Sequence, residues 1–223
     1  MKSIQTLIQS KVLLPTLFWS GLLASPLLWA DTLSDIAPLQ QGWAQVNYQL
    51  APEQREKAFA ALVTQADAVV AAHAGEPEPL IWRGIIKSSY AGAKGGLGAL
   101  AVAESSKADF EAAMALDAQA LQGSAYTSLG VLYSKVPGWP IGFGSSKKAQ
   151  ALLEKALTMN PQGIDPNYFY AEFLYEKRDY KEAMRYLEKA RQAPPRIGRE
   201  DADAGRQQEI AQLTAKVQKK LNK

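Results

Sequence analysis

Few residues in this sequence could carry covalent or metal chemistry. There is one histidine, His73, and no cysteine. Thiol nucleophiles, disulfides and cysteine-held clusters are therefore excluded. A serine–histidine–acid arrangement would have to use His73, which stands between Ala72 and Ala74 and in no motif. A lone His is a poor start for a zinc site, and we read it as a solvated residue near a helix end. Acids with basic neighbours, as in Glu154-Lys155 and Glu188-Lys189, read as solvated pairs. General acid–base work needs a tuned pKa and a placed substrate, and nothing in the sequence supplies either. The run Ala91-Gly92-Ala93-Lys94-Gly95-Gly96-Leu97-Gly98 invites a phosphate-loop reading. Such a loop follows a strand and ends in Gly-Lys-Ser/Thr. Here a helical pattern precedes it, and Lys94 lies between Ala93 and Gly95. The run reads instead as a loop between helices, where Gly permits positive φ. The sequence points away from an enzyme, and no cofactor or metal is expected.

The elements around these residues are helices, and they repeat. Ala149, Leu153, Ala156 and Pro161 each recur 34 residues later, as Ala183, Leu187, Ala190 and Pro195. Glu154-Lys155 recurs at the same offset as Glu188-Lys189. That offset is the period of a helix–turn–helix array whose units stack on one another. Tyr126, Leu129, Gly130 and Tyr133 have the spacing of a first helix in such a unit, and Tyr170 with Ala171 supplies the large–small pair in the next. The small residue lets the neighbouring helix approach closely. Apolar spacing predicts helix pairs over about 34–75, 79–118, 121–161 and 164–195, with a last helix over about 200–222. In the first pair Pro38 is expected in the first turn, Pro52 opens the second helix, and Gly75, Pro77 and Pro79 end it. Phe110 and Ala113 occupy the positions that Leu153 and Ala156 fill one unit later. Val136 to Gly144 carries two prolines and three glycines and interrupts the third pair. Ser145 or Ser146 is placed to cap the helix after it. Ile210, Leu213, Val217 and Leu221 form the apolar stripe of the last helix, which reads as the polar-faced end cap that stacked repeats need.

The N-terminal segment has the form of a secretory signal peptide. Lys2 and Lys11 precede a mostly apolar run from Val12 to Ala24, and Leu28-Trp29-Ala30 offers a cleavage point near Ala30. The run is shorter than the ~20 residues that span a bilayer. No Cys is present to take a lipid. Loss of residues 1–30 removes two of 25 basic residues and no acid, leaving 23 basic against 22 acidic. So small a balance argues against nucleic acid as partner. The expected location is the periplasm, and residues 31–223 are expected to form one helical domain.

With these residues in view, the chain resembles the tetratricopeptide repeat (TPR) proteins, well over 121–195 and loosely over 31–118. It also resembles a group of small exported bacterial TPR proteins, through the Gly-rich turn at 91–98, Val136-Pro137-Gly138-Trp139-Pro140 and Asn167-Tyr168-Phe169-Tyr170. These are similar to the T component associated with tripartite ATP-independent periplasmic (TRAP) transporters. That component is typically a lipoprotein, and this sequence departs from it in having no Cys to acylate. The resemblance implies an all-α, TPR-like α-solenoid of about four antiparallel helix pairs with a C-terminal capping helix.

In such a stack the first helices line a concave groove. Counting from the small residues, the expected groove residues are Tyr168, Glu172 and Tyr175, then Thr127, Val131 and Ser134, then Ile81, Ile85 and Ser88. Tyr pairs a large contact area with a polar tip and suits an apolar ligand or a peptide. The two interruptions, 91–98 and 136–144, fall at equivalent turns of adjacent repeats. Lys94 and Leu97 are therefore expected beside Trp139, Ile141 and Phe143, as a ligand lip or a homo-oligomer contact. The functional expectation is a non-catalytic scaffold outside the cytoplasm that binds a protein or peptide partner in the cell envelope. The alternative is an accessory small-ligand-binding component of a TRAP-type uptake system. An open groove favours the first, and a closed cavity favours the second.

Overall fold

Apolar residues at helical spacing need a partner surface, and this protein supplies it by laying helix against helix. A computed structural model describes residues 26–222. Among them lie α1 (Pro26–Tyr48), α2 (Pro52–Ala72), α3 (Pro77–Lys94), α4 (Gly96–Leu116), α5 (Ala120–Lys135), α6 (Ser146–Met159), α7 (Ile164–Glu176), α8 (Tyr180–Arg191) and α9 (Glu200–Leu221). The fold is an all-α, TPR-like solenoid. The predicted signal segment lies outside the described residues up to position 25, and the predicted cut near Ala30 falls in the first turns of α1.

The repeat spacing becomes packing. Ala149, Leu153 and Ala156 are buried along α6, and Ala183, Leu187 and Ala190 along α8. Phe110 and Ala113 are wholly buried on α4, in the equivalent places. A Cβ built on Gly130 would stand 2.8 Å from Leu153 Cγ, so the small residue of the repeat is what lets α5 and α6 touch. Asn167 is fully buried and donates from Nδ2 to the carbonyls of Pro161 (3.0 Å) and Gly163 (2.8 Å), which holds the turn before α7. Ser145 caps α6, its side chain accepting from the Lys148 amide at 3.4 Å.

Four expectations change. Pro38 lies inside α1 rather than in its first turn. Thr32 and Ile36 are buried before it, so packing rather than proline sets where the helix begins. Pro77 and Pro79 open α3 instead of ending the preceding pair, and Pro77 takes the first-turn place where its missing N–H is harmless. The glycine run 91–98 is not a loop. α3 continues to Lys94, and α4 starts at Gly96. Gly95 and Gly96, both at positive φ, make the break. His73 is not solvated. Its side chain is 12% exposed, and Nε2 lies 2.8 Å from Asp35 Oδ2, tying the end of α2 to α1.

The inner layer does more than the repeat count implies. α1, α3, α5 and α7 pack in succession to form it. α9 then packs against both α7 and α1, so the inner layer closes into a ring of five helices. α9 thus caps the last pair, as expected, and also joins the end of the sequence to its beginning. A Cβ on Gly205 would collide with the Tyr48 ring, so only glycine allows α9 to come this close to α1. The Tyr48 hydroxyl donates to Glu209 at 3.2 Å, and Gln49 Nε2 to Asp201 at 3.4 Å, across the same joint.

Candidate functional site

All five inner helices contribute to one cavity of about 540 Å³. α1 supplies Gln40 and Trp43, and α3 supplies Trp82, Ile85, Ser88 and Ser89. α5 adds Leu121, Gln122, Ser124, Thr127, Ser128 and Val131. The start of α7 adds Asp165, Pro166 and Phe169, and the segment after α8 brings Pro194, Pro195, Arg196 and Arg199. Arg206 of α9 completes the wall. The first helices line the inside because their large–small pairs place one face on the outer helices and leave another facing the ring centre.

Of the residues expected in the groove, Ile85, Ser88, Thr127 and Val131 line this cavity. The others do not. Ile81 is fully buried in the core between α3 and its neighbours. Ser134 turns back and donates to the Val131 carbonyl at 2.8 Å. Tyr168 is 7% exposed and packs in the cluster joining α7, α8 and α9, with the Arg206 guanidinium 4.6 Å from its ring. Glu172 pairs with Lys135 of α5 at 3.2 Å. Tyr175 packs on Tyr180 at 5.7 Å between ring centres. Thus α9 covers Tyr168, while α5 and α8 engage Glu172 and Tyr175, and from α7 Phe169 lines the cavity instead.

Of the rim expected from the two interruptions, Lys94 is engaged elsewhere. Lys94 pairs with Glu56 of α2 at 3.2 Å. Leu97 lies in the first turn of α4, after the Gly95 break, and this end of α4 is approached by the 136–145 segment, where a Cβ on Gly142 would stand 3.2 Å from Leu100 Cδ1. That segment lies along α4 and α5. Phe143 stacks edge-on against Tyr133 at 5.4 Å, and the Lys107 ammonium lies 6.0 Å over its ring. Trp139 is 90% exposed and Ile141 69% exposed. Trp139→Ala should therefore change stability by less than about 0.5 kcal/mol, since it removes no buried contact. A urea unfolding curve checks this, and a loss above about 1 kcal/mol would show the loop packed in solution.

The charged wall was not legible from the sequence. Asp165 accepts from Arg206 Nε at 2.9 Å and from Arg196 Nη1 at 2.5 Å. Arg196 also reaches Asp203, and Arg206 reaches Glu209. Burial alone would raise the Asp165 pKa, but Arg206 and Arg196 offset it and bring it down to about 2. Burial likewise opposes the Arg206 cation, yet Asp165 beside it raises its pKa above the ordinary guanidinium value. Arg206 also lies 4.4 Å over Phe169. These acids and bases are scattered over about 40 positions of sequence, from Asp165 to Glu209, and no spacing signal links them.

Two further features mark the wall. Leu121 (φ 47°) and Gln122 (φ 56°) hold left-handed backbone just before the regular part of α5, and both line the cavity. Such conformations persist in non-glycine residues only where surrounding structure imposes them, and they gather at binding sites. Trp82 is 3% exposed, and its indole N–H has no hydrogen-bond partner. Among the described residues no cluster of three or more His, Cys, Asp or Glu is arranged to hold a metal ion.

Comparison with known proteins adds one finding to this geometry. A search among curated proteins returns no match. The tetratricopeptide repeat family matches residues 142–216, about a third of the sequence, from the end of the loop before α6 well into α9, and over that span this protein is similar to that family.

Proposed function

We propose that this protein is an exported, non-catalytic scaffold that takes a segment of a protein partner into the central cavity of its helical ring. The observation that carries this is the cavity itself, lined from all five inner helices. It mixes aromatic anchors (Trp43, Trp82 and Phe169) with uncharged hydrogen-bonding side chains (Gln40, Gln122, Ser124 and Ser128). Large rigid rings beside adaptable polar groups are what a binding surface for another protein uses. Tetratricopeptide repeats generally mediate contacts between proteins, which agrees with this reading. Export rests on the signal-peptide form of residues 1–30 and places the partner in the cell envelope, with the periplasm as the working compartment. No described helix is long and apolar enough to cross a membrane.

The test is affinity capture from the cell envelope with residues 31–223 as bait, beside the variant Ser128→Trp. Ser128 lines the cavity and is partly exposed, so an indole there fills the space without disturbing buried packing. Wild type is expected to retain a specific protein that the variant loses, with both unfolding at the same temperature. Equal capture by the two would place binding elsewhere on the molecule.

One observation favours the alternative reading. Closure of the ring surrounds a cavity within the size range of small-molecule sites, roughly 300–1,000 Å³. An accessory component of a TRAP-type uptake system would use such a cavity for solute. Native mass spectrometry separates the two. A retained small molecule, with the solute-binding protein of a transporter as the captured partner, supports the transport reading.

A further inference from the structure

Three arginines line the cavity, and only two of them are matched to acids. Arg196 is shared between Asp165 and Asp203, and Arg206 between Asp165 and Glu209. The guanidinium of Arg199 makes no hydrogen bond and no ion pair among the described residues, and its Nε is buried without an acceptor. It lies 4.7 Å over the Trp82 ring. Trp82 carries the second unmatched donor, its buried indole N–H. Buried donors are nearly always satisfied in folded proteins, and each exception calls for a cause. Two on stacked neighbours, both lining one cavity, have a common cause if the acceptor arrives from outside. Burial, with repulsion from Arg196, lowers the Arg199 pKa to about 10, which still leaves it cationic at neutral pH. Of the four charged residues lining the cavity, three are arginines and one is Asp165; Asp203 and Glu209 pair with Arg196 and Arg206, so Arg199 is the wall cation without an ion-pair partner among the described residues.

We propose that the cavity binds an oxyanion, a carboxylate above all, carried on an apolar or aromatic body. Arg199 and the Trp82 indole N–H donate to the oxyanion, and Trp43, Ile85, Val131 and Phe169 receive the body. A guanidinium suits this role because it offers several donors in a planar fork that matches a carboxylate. The left-handed turn at Leu121 and Gln122 fixes another part of the wall, so the cavity is shaped before ligand arrives. This inference rests on the cavity being the working surface, as in the reading above, and names the chemistry it takes. The free C-terminus of a polypeptide and a small organic acid share that chemistry, and the test separates them.

Binding is measured by calorimetry and tryptophan fluorescence with two matched probe pairs. One is 4-phenylbutyrate against 4-phenylbutanamide. The other is a heptapeptide ending in Phe, with a free or an amidated C-terminus. At least one acid probe should bind, with its neutral partner about tenfold weaker or more, as expected for loss of a hydrogen bond to a charged group. Arg199→Gln should weaken the acid about tenfold or more and leave the amide unchanged, while Arg199→Lys keeps part of the difference. Preference for the peptide identifies a polypeptide terminus, and preference for phenylbutyrate a small acid; either supports the proposal. It is overturned if neither acid binds, if acid and amide bind wild type equally, or if Arg199→Gln leaves acid binding unchanged. Should the Gln variant fail to fold, the amide comparison in wild type and the Lys variant still decide. The scaffold reading fails separately. Acid binding through Arg199 with no captured protein sinks that reading alone, and specific capture by wild type with neither acid probe bound sinks this one alone.

Discussion

Replacing Asp165 by Asn should lower the unfolding midpoint at pH 7 by roughly 6–12 °C. That range combines about 3 kcal/mol for breaking a buried ion pair by removing one partner with about 2–4 °C per kcal/mol in a domain of this size. Asp165 is the acid on which Arg196 and Arg206 converge, and the Arg206 side chain is only 7% exposed. Without the carboxylate, Arg196 keeps Asp203 and Arg206 keeps Glu209, which is why the loss lies at the low end of the range for buried pairs. Those two arginines join α7 to the segment after α8 and to α9, so the damage falls where the ring closes. The pH dependence has a definite sign. The folded-state pKa of Asp165 is brought down to about 2, below the ~3.9 of an unfolded polypeptide. Its contribution is thus complete above about pH 4 and is lost as pH falls toward 2, on the order of 2.5 kcal/mol in all. The gap between wild type and variant should close over that window in thermal scans. A gap constant from pH 7 to pH 2 would show that the carboxylate charge is not what matters.

Phe110→Ala should cost about 3–5 kcal/mol, the range for truncating a buried aromatic to alanine. Phe110 is wholly buried on α4, among the core that joins α3 through α7. Its ring lies against Gly84 of α3, where an added Cβ would stand 2.6 Å from Cε1. Beside this contact the Ser106 hydroxyl donates to the Gly84 carbonyl at 2.7 Å. The α3–α4 pair therefore has little slack with which to collapse into the space left behind. Leu153→Ala, at the equivalent place in the next repeat and also fully buried, should cost about 2–5 kcal/mol. Urea unfolding at constant slope reads both. A loss below about 1.5 kcal/mol for Phe110→Ala would mean that the second pair is loosely packed and not a working repeat.

The repeat was legible because it is written in residue size. Gly130 against Leu153, and Ala171 with Ala183, are local requirements of two helices in contact, and they recur wherever the contact recurs. Part of the cavity wall was legible for the same reason: Ile85, Ser88, Thr127 and Val131 follow from counting along first helices. Counting failed at α7. Tyr168, Glu172 and Tyr175 stand at equivalent offsets, but α9 covers Tyr168, Lys135 of α5 holds Glu172, and Tyr180 of α8 holds Tyr175. It failed again at Lys94, since the glycines at 92 and 98 are tolerated inside helices and only Gly95 and Gly96, both at positive φ, make the break. Nothing local marks His73 as tied down, because its partner Asp35 lies 38 residues away on another helix.

The amino-acid sequence by itself determined the helices, their pairing in successive units, the buried stripes of α6 and α8, and the absence of thiol chemistry, because all of these depend on residue type and short spacing. Only the tertiary structure decided that the inner layer closes, that Asp165, Arg196, Arg199 and Arg206 share one wall, and that Arg199 and Trp82 keep donors without acceptors. The physical reason is curvature. Each repeat turns slightly relative to the last, and the sum of those small rotations, which no local pattern encodes, brings α9 back to α1 and makes a cavity out of a groove.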